Sequence, residues 1–127
     1  MKQEIKDIIT NSTSAALATT GPKGLNIVPI SVFSVQDEEI HLYDFFMNKT
    51  SENLKAEPKA VFTCWKEFVG IQVKADVAYE TEGEVYEATV TEMKEKFPDR
   101  TLAAVIRLTP TEIYDVAPGA TGDDLVL

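Results

Sequence analysis

Residues 69–80 read VGIQVKADVAYE, and apolar side chains alternate along this stretch with polar or small ones. Successive side chains of a β-strand point to opposite faces, so a period of two marks a strand with one buried face. The alternating apolar residues are Val69, Ile71, Val73, Ala75, Val77 and Tyr79. The stretch therefore predicts one long strand, and the elements on either side of it decide the fold.

The rest of the chain contains short apolar runs that predict five more strands. They cover residues 15–19, 26–34, 39–44, 60–65 and 102–114. Turn-forming residues at 21–24 and 36–38 separate the first three of these strands. Helical patterns cover residues 2–10 and 84–97, and a short helix starts near Lys49 and ends before Pro58.

This order of elements predicts a mainly β protein with flanking helices, built as a six-stranded antiparallel β-barrel. Short strands joined by turns favour an antiparallel sheet, and closing that sheet removes its exposed edges. A doubly wound parallel sheet would need a helix between nearly every pair of strands, and those helices are missing from the pattern. The length fits a single domain, residues 1–127, with residues 117–127 as an irregular C-terminal tail.

The formal net charge of −9 argues against partners that are themselves polyanionic. Such a surface repels nucleic acid and anionic lipid, so we expect neither nucleic acid nor a membrane as a partner. No apolar run is long enough to cross a bilayer, and the first residues lack the apolar core of a secretory signal. Since the single cysteine, Cys64, cannot form an internal disulfide, we expect a cytoplasmic protein.

The titratable residues form no recognisable catalytic or metal-binding pattern. His41 is the only histidine and sits within a predicted strand, so we expect a packed or surface residue rather than a base. No His, Cys and carboxylate residues have metal-ligand spacing, and we expect Asp123 and Asp124 to be solvated residues of the tail. The sequence therefore predicts no metal site and assigns no catalytic side chain.

The start of the short helix, Asn48-Lys49-Thr50-Ser51, has the composition of an anion-binding site. The first N–H groups of a helix lack intrahelical acceptors and lie at the positive end of its dipole. Lys49 adds a full charge, and Thr50 and Ser51 add hydroxyl donors. The same residues also suit ordinary N-capping, so both interpretations stand. Since Phe45 and Phe46 nearby can line a flat ligand, a phosphate here indicates a nucleotide or a flavin.

The order and spacing of four segments resemble the FMN-binding split barrels of the pyridoxamine 5'-phosphate oxidase-like family. The segments are residues 15–33, 40–54, 59–65 and 70–78. Members of this family are small proteins that hold FMN at a dimer interface. The resemblance therefore implies a split barrel that binds FMN non-covalently, as a homodimer with the flavin at the subunit interface.

The resemblance also implies where the phosphate of FMN would bind. Lys49 and Thr50 would contact it, with Ser51 and Asn53 near it. The larger oxidases of the family carry more arginines around the phosphate and the substrate, whereas this chain has two, Arg100 and Arg107. We therefore do not expect pyridoxamine phosphate itself as the substrate.

The ring side of the site is implied in the same way. The segment Pro29-Ile30-Ser31-Val32 would lie along the isoalloxazine edge and offer backbone groups to its polar atoms. The ring and the ribityl chain would run along Asp44, Phe45 and Phe46. Trp65 would meet the cofactor or the partner subunit.

The function that the resemblance implies is an FMN-binding flavoprotein, with flavin-dependent oxidoreduction as the expected activity and a small-molecule electron donor or acceptor as partner. Three alternatives stay open: a non-catalytic flavin-binding, storage or electron-carrier module, a reductase that uses the deazaflavin F420 on the same fold, and a barrel without a cofactor. The acidic tail of F420 would suit a more basic groove than this chain offers, so FMN is the expected cofactor.

Overall fold

The computed structural model describes residues 1–119 and Leu125. The helices of this part are α1 (Gln3–Asn11), α2 (Lys49–Ala56) and α3 (Glu84–Lys96), and none of them is long and apolar enough to span a membrane. The strands are β1 (Ser14–Thr19), β2 (Asn26–Pro29), β3 (Phe33–Gln36), β4 (Glu39–Asp44), β5 (Lys59–Lys66), β6 (Val69–Glu80) and β7 (Ala104–Asp115). Residues 120–124 and 126–127 of the predicted tail, including Asp123 and Asp124, lie outside the described residues.

The strands form one antiparallel sheet in the order β2-β1-β5-β6-β7-β4-β3. Its two edge strands, β2 and β3, follow one another in the sequence and are separated only by residues 30–32. Even a fully extended link of this length spans only about 14 Å. The sheet must therefore curl until its edges approach one another, which produces a half-barrel and confirms the predicted mainly β fold.

The described sheet has seven strands, whereas the sequence pattern predicts six. The prediction of one strand over residues 26–34 is wrong, because this segment pairs with β1 as far as Pro29 and with β4 from Phe33 onward. One continuous strand cannot belong to opposite edges of a sheet, so the chain breaks at residues 30–32. The apolar pattern hides the break because Ile30 is buried by the closure.

The long strand predicted for residues 69–80 is confirmed as β6. Ile71, Val73 and Ala75 are buried, as the alternation requires. β6 pairs with β5 on one side and β7 on the other, with a register shift after Lys74 that sets Ala75 opposite Pro110. Proline cannot donate a ladder hydrogen bond, and the irregular register accommodates it.

The interior of the half-barrel is apolar, and α1 packs against both sides of the curl. Buried Ile5 and Ile9 on α1 join the main core, and α1 contacts β3, β5 and β6. The rings of Phe33 on β3 and Phe62 on β5 meet edge to face, with centroids 5.6 Å apart. This contact joins strands that are distant in the sheet order and stabilises the curl.

A second apolar cluster lies between α3 and the outer sides of β4 and β7. Its buried members are Tyr43, Met93, Leu102 and Val105. Tyr86, Val90, Met93 and Phe97 lie on one stripe of α3 and pack in this cluster, which agrees with the helical pattern predicted for residues 84–97. Since Val32 and Phe45 also pack here, the cluster reaches the two loops that form the site described next.

Candidate functional site

A cavity of about 300 Å³ opens where residues 30–32 meet the loop between β4 and α2. Its volume lies at the lower end of the range for small-ligand pockets, which suits a ring system. The lining consists of Val28, Pro29, Ile30, Ser31, Val32, Tyr43, Phe45, Phe46, Met47 and Arg100. The structure therefore brings together the two segments that the sequence analysis assigned to the ring side, residues 29–32 and 45–46.

Residues 30–32 are held at the cavity by the curl of the sheet. The N–H of Ile30 donates to the carbonyl of Ala15 at 2.9 Å, which continues the bonding of β2 to β1 for one more residue. Ser31 and Val32 then stand outside both ladders. Their backbone N–H and C=O groups are therefore available to a ligand.

The loop that forms the other wall of the cavity is fixed by the carboxylate of Asp44. Its Oδ1 accepts the backbone N–H of Met47 at 2.8 Å, and its Oδ2 accepts the hydroxyl of Tyr79 on β6. Burial raises the pKa of the Tyr79 phenol, and the neighbouring carboxylate raises it further, so Tyr79 stays protonated and donates. Asp44 is itself buried and absent from the cavity lining, so it positions the loop.

Phe45, Phe46 and Arg100 form the aromatic and cationic side of the cavity. The two phenylalanine rings have centroids 6.3 Å apart, and the Phe46 side chain is 79% exposed. The guanidinium carbon of Arg100 lies 5.2 Å from the Phe45 centroid and 6.0 Å from that of Phe46. Such an arrangement provides flat apolar surface beside a single positive charge.

The start of α2 keeps the features of an anion site. The helix begins at Lys49 as predicted, but the side chain of Asn48 makes no capping hydrogen bond. The N–H groups of Lys49, Thr50 and Ser51 have no acceptor within the helix, and the first intrahelical acceptor, the carbonyl of Asn48, is taken by Glu52. Because Lys49 is exposed, its charge is open to a ligand at the point where the N–H groups of the first turn lack helical acceptors.

The other polar residues predicted at this helix start are buried and bonded within the protein. Thr50 Oγ1 accepts from the amide of Asn26 at 3.0 Å, and the hydroxyl of Ser51 donates to the carbonyl of Asn48 at 2.8 Å. Asn53 donates to the carbonyl of Gly24 and accepts from the N–H of Lys23. Asn53 therefore attaches α2 to the turn between β1 and β2, Thr50 attaches it to β2, and Ser51 bonds within the start of α2.

Gly21 allows the close approach of that turn to α2. A Cβ at Gly21 would lie 2.9 Å from Oδ1 of Asn53. Any larger residue would push the turn away from the helix and break the bonds of Asn53. The turn chemistry of residues 21–24 is therefore required by a contact with α2 as well as by the hairpin.

β2 connects the helix start to the cavity. Asn26, at the beginning of β2, is bonded to Thr50, and Pro29, at its end, lines the cavity. Three strand steps of about 3.3 Å separate these two residues by roughly 10 Å. An anion site and a ring-sized cavity therefore lie along one short strand.

Other candidate residues lie apart from the cavity. Trp65 is 40% exposed near the end of β5 and does not line the cavity. His41 is buried, with Nε2 3.1 Å from Oε1 of Glu39, which agrees with the expected packed residue. No group of three or more His, Cys, Asp or Glu residues within residues 1–119 and Leu125 is arranged to hold a metal.

The sequence analysis missed four of the lining residues: Val28, Tyr43, Met47 and Arg100. The first three adjoin predicted residues along the chain or in β4, so extending each predicted segment would have included them. Arg100 lies more than fifty residues away from the others, and only the packing of α3 brings it to the cavity. Its scarcity, as one of two arginines, was the only sequence signal.

The family profile of pyridoxamine 5'-phosphate oxidase matches residues 1–117. The chain belongs to the pyridoxamine 5'-phosphate oxidase family. The resemblance recognised in the sequence is thus confirmed. No curated protein matches the sequence significantly.

Solved structures share the fold of this family member. HupZ of Group A Streptococcus is 24% identical, with a TM-score of 0.81 over 94% of this chain and 97% of that chain. An FMN-binding protein of Syntrophomonas wolfei subsp. wolfei is 25% identical, with a TM-score of 0.73 over 88% and 83%. HutZ, the heme storage protein of Vibrio cholerae, is 16% identical, with a TM-score of 0.69 over 90% and 93%. Since proteins named for flavin and for heme share this fold, the chain's own residues must indicate its ligand.

Replacing Asp44 by Ala tests how the cavity loop is held. Loss of the carboxylate leaves the N–H of Met47 and the hydroxyl of Tyr79 unpaired, so we expect the free energy of unfolding to fall by roughly 3 kcal/mol. Tyr79→Phe removes one of the two bonds and should cost about 1 kcal/mol. Urea unfolding of both variants measures this difference, and equal, negligible losses would contradict the role assigned to Asp44.

Proposed function

We propose that this protein binds FMN non-covalently, with the isoalloxazine ring in the cavity at residues 28–32 and the phosphate at the start of α2. One observation carries the proposal: a ring-sized cavity and a cationic helix start lie along the same strand, β2. The family match and the FMN-binding structural relative support the same ligand.

The cavity lining suits a flavin ring in its chemistry. Phe45, Phe46 and Met47 offer apolar surface, and a flavin ring has two flat apolar faces. Its polar edge needs hydrogen-bond partners, and the backbone of Ser31 and Val32 offers them outside the strand ladders. Apolar walls with a few placed polar groups are typical of cofactor sites.

The start of α2 can hold the phosphate of FMN although the protein as a whole is acidic. With a net charge of −9, the overall field opposes an anion, so local donors must hold it. Lys49 and the first N–H groups of α2 supply a charge, hydrogen-bond donors and the positive end of the helix dipole together. Thr50, Ser51 and Asn53 position these groups from the buried side of α2.

We propose oxidoreduction as the activity. FMN, when bound, supplies hydride or electron transfer at its ring. The chain's residues hold the ring and limit its contact with water. The lining residues described in the structure include no carboxylate or histidine that could act as a base. A small-molecule electron donor or acceptor would approach past Phe46, the most exposed aromatic residue of the lining.

The alternative of a flavin store or electron carrier differs in one measurable respect. An oxidoreductase that uses a nicotinamide donor will accept electrons from NADH or NADPH into its bound flavin, whereas a store will not. The fold is equally compatible with F420 and with FMN. The described residues around the cavity include one cation, Arg100, which is too few to balance the acidic tail of F420.

The single histidine bears on whether the protein binds heme. Heme ligation by histidine would need a free imidazole, and His41 is buried and bonded to Glu39. Flavin is therefore the better match to this chain.

The single cysteine bears on the location of the protein. Cys64 is buried, and burial raises the pKa of its thiol, which agrees with an inert packing role and with the proposed cytoplasmic location.

We also propose a homodimer with the flavin at the subunit interface. Leu25 and Ile27, just before and within β2, are 88% and 68% exposed. Leu25 borders an open pocket with a volume of about 450 Å³, which lies on the outer side of β1, β5 and β6. Exposed apolar residues next to a concave surface are typical of protein interfaces, and covering β2 would also shelter a ligand that lies along it.

Lys49→Ala tests the phosphate assignment. Loss of the charged donor should weaken FMN binding by about 1.5–3 kcal/mol, or roughly 10- to 150-fold in Kd. The Kd is measured by titrating apoprotein into FMN and following flavin fluorescence. Lys55→Ala, at the exposed far end of the same helix, is the matched control and should leave the Kd unchanged. An unchanged Kd in Lys49→Ala would reject the assignment, and no FMN binding by the wild-type chain would reject the proposed function.

Leu25→Glu tests the homodimer. We expect light scattering to give twice the chain mass of 14.0 kDa for the FMN-loaded wild type and the mass of one chain for the variant. The physical reason is the cost of burying an unpaired carboxylate at an apolar interface. Phe68→Glu, in the turn at the opposite end of β5, is the control and should stay dimeric. A monomeric wild type, or a dimeric Leu25→Glu, would overturn this interface.

A further inference from the structure

We propose that Arg100 makes the cavity selective for a small ligand that carries a carboxylate, bound beside the flavin ring. The inference rests on the proposed FMN site, because it names the substrate class of that same site. It begins from a contrast in charge. Among the residues that the structure describes, Arg100 is the only charged one in the lining of the cavity, in a chain whose net charge is −9.

The guanidinium of Arg100 is held in place by aromatic rings. Its central carbon lies 4.3 Å from the ring centroid of Phe97, 5.2 Å from that of Phe45 and 6.0 Å from that of Phe46. Contacts with aromatic rings do not require the N–H groups of a guanidinium as hydrogen-bond donors to oxygen, so these groups stay available to a ligand. The side chain is therefore ordered before any ligand arrives, which lowers the entropy cost of binding.

Arg100 has no carboxylate partner within 4 Å among the described residues. The guanidinium of the other arginine, Arg107, is paired with carboxylates, since it donates to both oxygens of Glu39 at 3.0 and 3.1 Å and to Glu80. A half-buried arginine at a cavity wall, with aromatic contacts but no carboxylate partner among the described residues, is suited to bind an anion.

The lining favours a carboxylate over a phosphate monoester. The planar fork of a guanidinium matches the two oxygens of a carboxylate. One positive charge neutralises one carboxylate, whereas a phosphate dianion would leave an unpaired charge in an apolar cavity. The exposed ring of Phe46 lies beside Arg100 on the side from which a small molecule would approach, which indicates that the rest of the ligand is flat and apolar.

The experiment follows the side-chain Nε–Hε signals of the two arginines by NMR in ¹⁵N-labelled protein saturated with FMN. The probes are benzoate, its neutral analogue benzamide, and phenyl phosphate. We expect benzoate to shift the Arg100 signal and leave the Arg107 signal in place, with benzamide at least tenfold weaker and phenyl phosphate weaker than benzoate. Equal binding of benzoate and benzamide would overturn the proposal, and tighter binding of phenyl phosphate would overturn the carboxylate assignment.

Three variants separate Arg100 from net charge and from folding. Arg100→Gln should weaken benzoate at least tenfold, and Arg100→Lys, which keeps the charge without the planar fork, should give an intermediate affinity. Lys96→Gln removes the same charge at the exposed end of α3 and should leave benzoate affinity unchanged. If Lys96→Gln matches Arg100→Gln, the effect is one of net charge and the proposal fails.

The flavin spectrum, recorded before any probe is added, distinguishes this failure from failure of the proposed function. The FMN affinity of Arg100→Gln is measured first, and benzoate is then added only at saturating FMN, so that a small loss of cofactor affinity does not count as lost benzoate binding. A large loss of FMN affinity in Arg100→Gln would show that Arg100 holds the cofactor and would overturn the substrate assignment. A wild-type protein that does not bind FMN would overturn the proposed function and, with it, a carboxylate site beside a flavin.

Discussion

The short link between β2 and β3 is the constraint on which the rest of the structure depends. Residues 30–32 join strands at opposite edges of a seven-stranded sheet, so the sheet has to curl. The same curl brings Phe33 against Phe62 in the interior and buries Ile30. It also leaves Ser31 and Val32 outside the ladders, so the residues that close the barrel are those that wall the cavity. Fold and site have one origin.

Buried polar residues fix the positions of the loops that form the site. Asp44 fixes the loop of Phe45 and Phe46 through Met47 and Tyr79, and Asn53 joins α2 to the β1–β2 turn. Neither residue lines the cavity. Because an unpaired buried polar group is costly, these bonds favour one arrangement of the loops over looser ones. The site proposed for the ligand is thus built from exposed groups, such as Lys49, on a frame of buried ones.

Much of the fold could be predicted from the sequence, because a strong hydrophobic periodicity determines which face of a strand or helix is buried. The alternation of β6 and the helical pattern of α3 were both predicted, as was the start of α2 near Lys49. The break in residues 26–34 was not, since Ile30 is apolar for closure rather than for pairing. The internal bonds of Thr50 and Ser51 and the approach of Arg100 depend on tertiary neighbours, which no local pattern encodes. Local order was therefore predictable from the residue pattern, whereas the meeting of residues 29–32 with 45–46 was expected only from the family resemblance.

The central claim is that one FMN molecule lies along β2, with its ring at residues 30–32 and its phosphate at the start of α2. The most direct measurement is the backbone ¹H–¹⁵N spectrum of the protein during titration with FMN. The account predicts that the amide signals of residues 30–32 and of residues 49–51 shift together, with one affinity. Shifts confined to the outer surface near Leu25 and Lys74, or shifts in one of the two segments without the other, would contradict it.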